Sequence, residues 1–295
     1  MQGPDSSHFS CLNHGYLFDF ITHRLYSLPI ASTRPTMTST DSLLIEDRAA
    51  VRVLTMNRPD KRNALNNELT HALLAALQTA DRDPSVKAIV LAGAGKSFCA
   101  GADVNEFGGF VNSGDSANAN ANSAAQAALD RAHLTTNLHR VFSQIAKPVV
   151  GAAHGYAMGG GAGLALACDM LVAGVSLKLG YPELKHGIVA AIVMANLVRQ
   201  VGRKAAFELV SLGEAADAQR ALALGLANRV VADDAMLDTA VGIAERLAVF
   251  DAPAMAATKR LFHRVADLPL QQALDASLDT NLMMRSFRKE RANDK

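Results

Sequence analysis

Short apolar runs bounded by turn residues predict buried strands in the first two thirds of the chain. Val51–Met56 is followed by Asn57-Arg58-Pro59-Asp60, and residues 86–92 end in Gly93-Ala94-Gly95. A third run, Val149–Ala153, lies between Pro148 and His154-Gly155. Apolar runs of four to eight residues between glycine, proline and asparagine are typical of strands buried on both faces.

Helical spacing of apolar residues separates and follows these strands. Leu65, Leu69, Leu73 and Leu77 share one helical face, with Asn63 as the predicted cap and Asp83-Pro84 as the predicted end. A short strand is predicted at residues 228–231. Further helices are predicted at residues 124–145, 190–201, 204–212, 219–224, 235–250, 253–266 and 270–287. Strands alternating with helices, and then helices alone, indicate an α/β fold with a helical C-terminal region.

The stretch after the third strand predicts a binding site made of main-chain groups. Gly159, Gly160 and Gly161 precede the helix formers of residues 164–167, so a strand turns on glycines into a helix. The unpaired N–H groups at such a helix start favour an oxygen that gains negative charge. A second turn of small residues, 99–103, could supply another donor, and two donors make an oxyanion hole. The alternative is that both turns serve only close packing.

Composition excludes several classes of protein. The 295 residues carry 29 basic and 28 acidic side chains, a net charge of +1 that does not favour nucleic acid or an anionic membrane. The three cysteines are far apart in sequence, which fits free thiols in a reducing, cytoplasmic compartment. No apolar run is long enough to span a bilayer. Residues 1–41 lack a sustained pattern and are expected to be a disordered extension, and residues 108–124 a mobile loop.

The sequence lacks a required residue of each of three nucleotide-binding or catalytic motifs. A phosphate loop ending at Lys96-Ser97 would need glycine at position 90, which is valine. A dinucleotide fingerprint from Gly159 would need glycine or alanine at position 164, which is leucine. The glycine turn contains no serine for a nucleophile elbow. Nucleotide hydrolysis, NAD chemistry and serine acyl transfer therefore lose support.

The ordered motifs of the chain resemble the enoyl-CoA hydratase/isomerase family, the crotonases. They are NRPDKRNAL (57–65), AIVLAGAGKSFCAGADVNEF (88–107), KPVVGAAHGYAMGGGAGLALACDM (147–170) and LGYPELKHGI (179–188). The resemblance implies an α/β crotonase-like (ClpP/crotonase) spiral of ββα units over residues 42–234. It further implies a helical trimerisation region over residues 235–295, and a homotrimer or dimer of trimers.

The resemblance also implies the binding residues. The N–H groups of Ala102 and Gly160 would form the oxyanion hole for a CoA thioester carbonyl. The backbone of Ala100 would lie near the adenine, and Lys96 near the CoA phosphates. Weaker candidates for the phosphates are Lys61, Arg62 and Lys259, each of which could equally be a solvated surface charge. Coenzyme A is part of the substrate, and no resident cofactor or metal is expected.

The acid and base positions depart from the hydratase pattern. Family hydratases typically carry two glutamates, and the first corresponds here to Gly163, while the second is Glu183. Hydration of an enoyl thioester needs one group for water and another for the α-carbon. A lone carboxylate can instead move a proton from one carbon to another, so Glu183 favours isomerisation of a 3-enoyl-CoA to a 2-enoyl-CoA.

Other polar residues near these motifs were weighed as substitutes for the missing acid. Asp103 is predicted to cap a helix, and Asp169 and His154 are predicted to be structural. Glu106, Asp115 and Asp130 are expected to be solvated. Tyr156 and Tyr181 are close in sequence to the predicted site. Residues 190–196 replace a glycine-rich segment, so the acyl chain cannot be inferred. Hydration, a non-catalytic acyl-CoA-binding protein and an enolate-forming lyase or decarboxylase stay open as alternatives.

Overall fold

The structure, a computed structural model, describes residues 40–103, 106 and 120–293. The predicted extension lies outside the described residues except for Thr40 and Asp41, and the predicted loop lies outside them up to residue 119. The described strands are β1 Leu43–Arg48, β2 Val51–Met56, β3 Ala88–Gly93, β4 Val149–Ala153, β5 Tyr156–Met158, β6 Met170–Gly174, β7 Lys178–Gly180, β8 Ala216–Asp217 and β9 Arg229–Val231. The helices are α1 Asn67–Arg82, α2 Asn120–Gln144, α3 Gly160–Ala167, α4 Ala191–Leu212, α5 Ala218–Ala223, α6 Met236–Ala248, α7 Ala252–Val265 and α8 Leu270–Asn293.

A mostly parallel sheet of six strands, in the order β1-β2-β3-β4-β6-β9, forms the centre of the fold. Only β1 and β2 are antiparallel; the other four pairs are parallel. Side chains alternate across the sheet, so that Val51 and Val53 of β2 face α6 while Leu54 and Met56 face the opposite layer. Helices on both faces explain why these strands read as continuous apolar runs.

A second, smaller sheet positions the glycine turn. Its order is β5-β7-β8, with β5 and β7 parallel and in the register Met158↔Gly180. Gly159 N continues this ladder by donating to Gly180 O at 2.8 Å. The end of β5, where α3 begins, therefore lies beside the end of β7, from which the chain continues through Tyr181 and Pro182 to Glu183.

The predicted strand 149–153 is confirmed residue for residue as β4, and the helix after the glycines as α3. Helix α4 contains a non-helical residue, Gly202 (φ 74°, ψ 173°), which confirms the predicted break between two helical segments. The three C-terminal helices were predicted to within two residues at their N-termini. Within the described ranges, no helix combines the length and apolarity that crossing a bilayer requires.

The predicted cap at Asn63 is wrong. Helix α1 begins four residues later, where the side chain of Asn66 accepts a hydrogen bond from Leu69 N at 2.9 Å. Asn63 is buried in a left-handed conformation (φ 56°) and its amide donates to Ala94 O and Ser97 O. Asn63 thus joins the NRPDKRNAL segment to the loop after β3 rather than starting a helix.

Candidate active site

The main-chain amides of Ala102 and Gly160 lie close together at the junction of the two sheets. Residues 99–102 run alongside β5, since Cys99 N donates to Tyr156 O and Met158 N donates to Cys99 O, both at 2.9 Å. A Cβ atom built on Gly160 would lie 3.8 Å from Ala102 N. The two amides predicted from separate turns are therefore brought together by the structure.

Hydrogen bonds on both sides of Ala102 fix its position without using its own N–H. Leu65 N donates to Gly101 O at 2.7 Å, and Asp103 N donates to Leu65 O at 3.0 Å. In the part of the chain that the structure describes, no hydrogen-bond acceptor is found for Ala102 N–H or Gly160 N–H. Gly160 is the first residue of α3, where main-chain donors have no partner inside the helix. Both N–H groups are therefore free to bind a ligand oxygen.

Glycine is required at position 101 to bring these segments together. Gly101 has φ +95°, which only glycine adopts readily, and a Cβ atom there would lie 2.7 Å from Met158 O. The absence of a side chain lets the 99–102 segment approach β5 closely. Gly101 also lies close to Gly160, since a Cβ atom built on Gly101 would be 3.5 Å from Gly160 N.

The carboxylate of Glu183 lies directly over the start of α3. A Cβ atom on Gly159 would come within 2.8 Å of Glu183 Oε1 and 3.8 Å of Oε2. Oε2 is buried and has no hydrogen-bond partner among the described residues. Burial raises the pKa of the Glu183 carboxyl, opposed by a hydrogen bond with its own backbone and by His186. The half-buried Glu183 carboxylate thus lies against Gly159, the residue before the Gly160 donor, and has the properties of a base.

At the position of the missing first acid, the space beside Gly163 is occupied by other side chains. A Cβ atom on Gly163 would lie 2.6 Å from His139 Cε1 and would overlap Cγ1 of Val193. His139 of α2 is only 9% exposed, and its Nε2 has no partner among the described residues. Burial lowers the pKa of this imidazole to about 4, and a hydrogen bond with the Gly163 backbone opposes the shift. His139 is therefore neutral at pH 7.

Sequence reasoning did not find His139. The residue lies inside a helix of otherwise unremarkable composition, 24 positions before Gly163, and no motif marks it. The available signal was Gly163 itself, because a helical position without a side chain must be filled by a neighbour. Only the packing of α2 against α3 identifies that neighbour.

Most of the polar residues predicted as possible substitutes for the acid contact other groups, whereas the Tyr181 hydroxyl is buried with no hydrogen-bond partner among the described residues. Glu106 accepts a hydrogen bond from Asn67 N at the start of α1, and Asp103 is paired with Arg58 at 2.9 Å. Asp103 was predicted to cap a helix; the two residues after it lie outside the described ranges. The remaining contacts are His154 Nε2 with Gly95 O at 2.8 Å, Asp130 with Gln126, and Tyr156 beneath the guanidinium of Arg62; Asp115 lies outside the described residues.

Three of the four predicted phosphate-binding side chains are exposed. Lys61, Arg62 and Lys96 all lie on the surface. The Arg62 guanidinium is 5.3 Å from the centre of the Tyr156 ring, and Arg62 O accepts a hydrogen bond from Ala100 N at 2.9 Å. Arg62 and Ala100 are thus neighbours beside the segment that carries Ala102.

Lys259 departs from its predicted role. Its side chain is buried, and Nζ pairs with Asp169 Oδ2 at 2.7 Å and donates to Lys147 O at 2.8 Å. Asp169 also accepts from Val149 N and contacts His263, so it joins α7 to β4, in line with its predicted structural role. An ammonium held in this way is not available to a phosphate, and the geometry gives no support to CoA binding by Lys259.

Comparison with known proteins agrees with this geometry. The chain is 35% identical over 233 residues to the 2,3-dehydroadipyl-CoA hydratase of Escherichia coli (strain K12), covering 79% of this chain and 86% of that protein. The crystal structure of an enoyl-CoA hydratase from Mycobacterium smegmatis superposes with a TM-score of 0.72 at 31% identity, covering 83% and 91% of the two chains. An enoyl-CoA hydratase/isomerase from Marinobacter aquaeolei gives 0.73 at 30% identity, covering 83% and 91%.

These neighbours confirm the predicted crotonase-like fold. A sequence model of the family described as enoyl-CoA hydratase/isomerase matches residues 46–293, nearly all of the chain after the predicted extension. The chain therefore belongs to the enoyl-CoA hydratase/isomerase family.

Proposed function

We propose that this enzyme transforms an enoyl-CoA thioester through an enolate, with Glu183 as the proton carrier. The observation that carries the proposal is the meeting of three groups at one glycine turn. The amides of Ala102 and Gly160 are adjacent, and the Glu183 carboxylate lies over Gly159, next to Gly160. A thioester oxygen bound by both N–H groups would place its α-carbon beside that carboxylate.

The proposed chemistry follows from where charge develops. When the α-proton leaves, negative charge moves to the thioester oxygen, where two fixed donors stabilise it. Each such donor contributes roughly 10²–10³-fold to the rate in other enzymes. Burial of Glu183 raises its pKa and so strengthens it as a base. Because Glu183 is the acid present where the family places two, proton return to the γ-carbon gives isomerisation of a 3-enoyl-CoA to a 2-enoyl-CoA.

Hydration of a 2-enoyl-CoA is the second candidate, as in the breakdown of fatty or branched-chain acyl-CoA. It is supported by the relatives, several of which carry the name hydratase. Addition of water requires a group that orients it in addition to the proton carrier. Position 163 offers no carboxylate, so this reaction depends on another residue.

The surface beside the site supports a CoA ligand. Lys61, Arg62 and Lys96 are exposed basic residues on the segments that flank Ala100. Flexible basic side chains suit phosphates, which need charge more than fixed geometry. We assign these three residues to the CoA phosphates and the Ala100 backbone to the adenine.

We also propose a homotrimer or dimer of trimers in the cytoplasm. Four leucines on one stripe of α8 are 55–76% exposed in the single chain: Leu270, Leu274, Leu278 and Leu282. Leucines four residues apart form one helical face, and exposure of such a face favours association between chains. Cys99 and Cys168 are free and buried, which suits a reducing compartment. Light scattering after size-exclusion chromatography tests the assembly.

Product analysis with 2-enoyl-CoA and 3-enoyl-CoA esters of short and medium chain length tests the proposed function. We expect turnover of one or both series, with solvent deuterium entering at the γ-carbon in isomerisation and at the α-carbon in hydration. Tight CoA-ester binding without turnover of any ester would show the non-catalytic alternative. Cleavage of the acyl chain would show a lyase, and release of carbon dioxide from an acyl-CoA that carries a free carboxyl group would show a decarboxylase.

A further inference from the structure

The space beside Gly163 is occupied by an imidazole. Gly163 lies one turn into α3, where its N–H donates to Gly159 O at 2.9 Å. A Cβ atom on Gly163 would be 2.6 Å from His139 Cε1, closer than ordinary van der Waals contact. The ring therefore lies where a side chain from position 163 would begin, one helical turn from the glycine that contacts Glu183.

One nitrogen of this imidazole is unpaired. His139 Nε2 is buried and has no hydrogen-bond partner in the described part of the chain. The ring lies against the backbone of Gly163, with which it shares a hydrogen bond that raises its pKa. A buried polar atom without a partner costs about 1–3 kcal/mol, so Nε2 requires a partner beyond the described residues, and a bound water is one that fits.

A neutral imidazole has one donor and one acceptor nitrogen, and the tautomer with its proton on Nδ1 leaves Nε2 as the acceptor. A neutral acceptor can hold a water molecule through one O–H without taking its proton. The Glu183 carboxylate lies over Gly159, one helical turn before Gly163, and can accept the other O–H. These two contacts would orient water beside the double bond of a bound enoyl thioester.

We propose that His139 replaces the missing carboxylate as the positioning residue for water, so that this active site hydrates a 2-enoyl-CoA. The water oxygen forms the bond to the β-carbon while the π electrons move to the thioester oxygen. The proton released from water passes to the Glu183 carboxylate, which then delivers it to the α-carbon as the C=O bond re-forms. Water supplies both the hydroxyl and the proton, and both side chains return to their starting state. This inference rests on the enolate chemistry of the proposed function and adds to it the second candidate reaction, hydration, by supplying the water-orienting group that position 163 lacks.

The test compares two reactions in the full chain with His139→Phe, which keeps a planar ring and removes both nitrogens. We expect kcat for hydration to fall at least about 10-fold, while isomerisation of a 3-enoyl-CoA changes less than about 3-fold, since it uses no water. The matched control is His133→Phe on the exposed face of the same helix, which should leave both reactions unchanged. His139→Gln, which retains a polar acceptor, should recover part of the hydration rate and decides the matter if the Phe variant does not fold.

A rebuilt site provides the complementary measurement. Val193→Ala and His139→Ala remove the atoms that a side chain at 163 would overlap, and Gly163→Glu restores a carboxylate. We expect the triple variant to hydrate faster than the His139→Ala/Val193→Ala double variant.

The outcomes separate this inference from the proposed function. Equal losses of both reactions in His139→Phe would overturn the water-positioning role and indicate a structural one. A wild-type chain that isomerises without hydrating would also overturn it while leaving the enolate chemistry intact. A wild-type chain that performs neither reaction would overturn the proposed function itself.

Discussion

Replacing Glu183 by glutamine is the sharpest test of the active site. Glutamine keeps the shape of the side chain and one carbonyl acceptor but cannot accept a proton. The packing of the side chain against Gly159 is retained, because the amide group of glutamine has the same size and shape as the carboxylate that lies there. The Ala102 and Gly160 amides are main-chain groups and are unaffected. The substitution therefore removes proton transfer and little else.

The expected loss is that of a general base. Positioned acid–base groups contribute about 10²–10⁴-fold, and kcat should fall by that factor, which corresponds to roughly 3–5 kcal/mol of barrier. The dissociation constant for a non-reacting acyl-CoA should change by less than about 3-fold. In the wild type, kcat/KM should rise with pH through a pKa above the ordinary value of 4.5, because burial raises the pKa of Glu183. The glutamine variant should lose this limb.

The same substitution should not lower stability at neutral pH. Since the pKa of Glu183 is raised in the folded state, its contribution to stability is fully present below pH 4.5 and is lost as pH rises through the folded-state pKa. The ionised carboxylate is unfavourable to folding, because Oε2 is buried and has no hydrogen-bond partner within the described ranges. We expect the melting temperature of Glu183→Gln to equal or exceed that of the wild type.

Steady-state assays on 2-enoyl and 3-enoyl esters give kcat and the pH dependence of kcat/KM, calorimetric titration with a non-reacting acyl-CoA gives the dissociation constant, and thermal unfolding gives the melting temperature. Glu214→Gln is a suitable control, because Glu214 is an exposed carboxylate on the segment after α4. Turnover of either ester at the wild-type rate in Glu183→Gln would refute the reasoning. A fall in activity accompanied by a lower melting temperature would mean that Glu183 is needed for folding instead.

Three further predictions follow from individual contacts. Gly160→Ala places a methyl group 3.8 Å from Ala102 N, in the space proposed for the thioester oxygen. We expect kcat to fall roughly 10²-fold while circular dichroism shows an intact fold. Unchanged kinetics would exclude the oxyanion hole. Asp169→Ala leaves the buried Lys259 ammonium unpaired, and urea unfolding should show a loss of about 3–5 kcal/mol, whereas a loss below 1 kcal/mol would argue against the pair. Burial lowers the pKa of His139 to about 4, so its contribution to stability is lost as pH falls from 6.5 to 4. The free energy of unfolding should drop by about 3 kcal/mol from this group over that range. In His139→Phe this part of the pH dependence of the unfolding free energy should be absent.

The main sheet and the glycine turn could be predicted because local sequence encodes them. A strand buried on both faces is a continuous apolar run, and β4 begins and ends where Pro148 and His154-Gly155 indicate. Helix α3 was predicted from the helix formers of residues 164–167, and it begins earlier, within the glycine turn at Gly160. The pairing of the two turns rested on resemblance, since no local pattern says that residues 102 and 160 meet.

The errors arose where a side chain acts over a long sequence distance. Asn63 has the composition of a cap, yet its amide bonds to carbonyls more than 30 residues away, and Asn66 takes the cap position. Lys259 was predicted as a weaker candidate for the CoA phosphates, with a surface charge as the alternative, whereas the fold buries it against Asp169, 90 residues earlier. Such contacts depend on how helices pack on the sheet, which residue spacing within one helix cannot specify.

Substitutions can hardly change the main-chain groups of the site, but they can change its side chains. The two proposed oxyanion donors are main-chain N–H groups, and their positions depend on close approaches such as that of Gly101 to Met158 O, which any side chain at 101 would prevent. Around them lie the side chains of His139 and Glu183 and position 163, which has no side chain. In the proposed mechanism the fold therefore fixes the polarisation of the thioester, whereas the residues at these three positions set the fate of the enolate. With glycine at 163, that fate depends on Glu183 and His139.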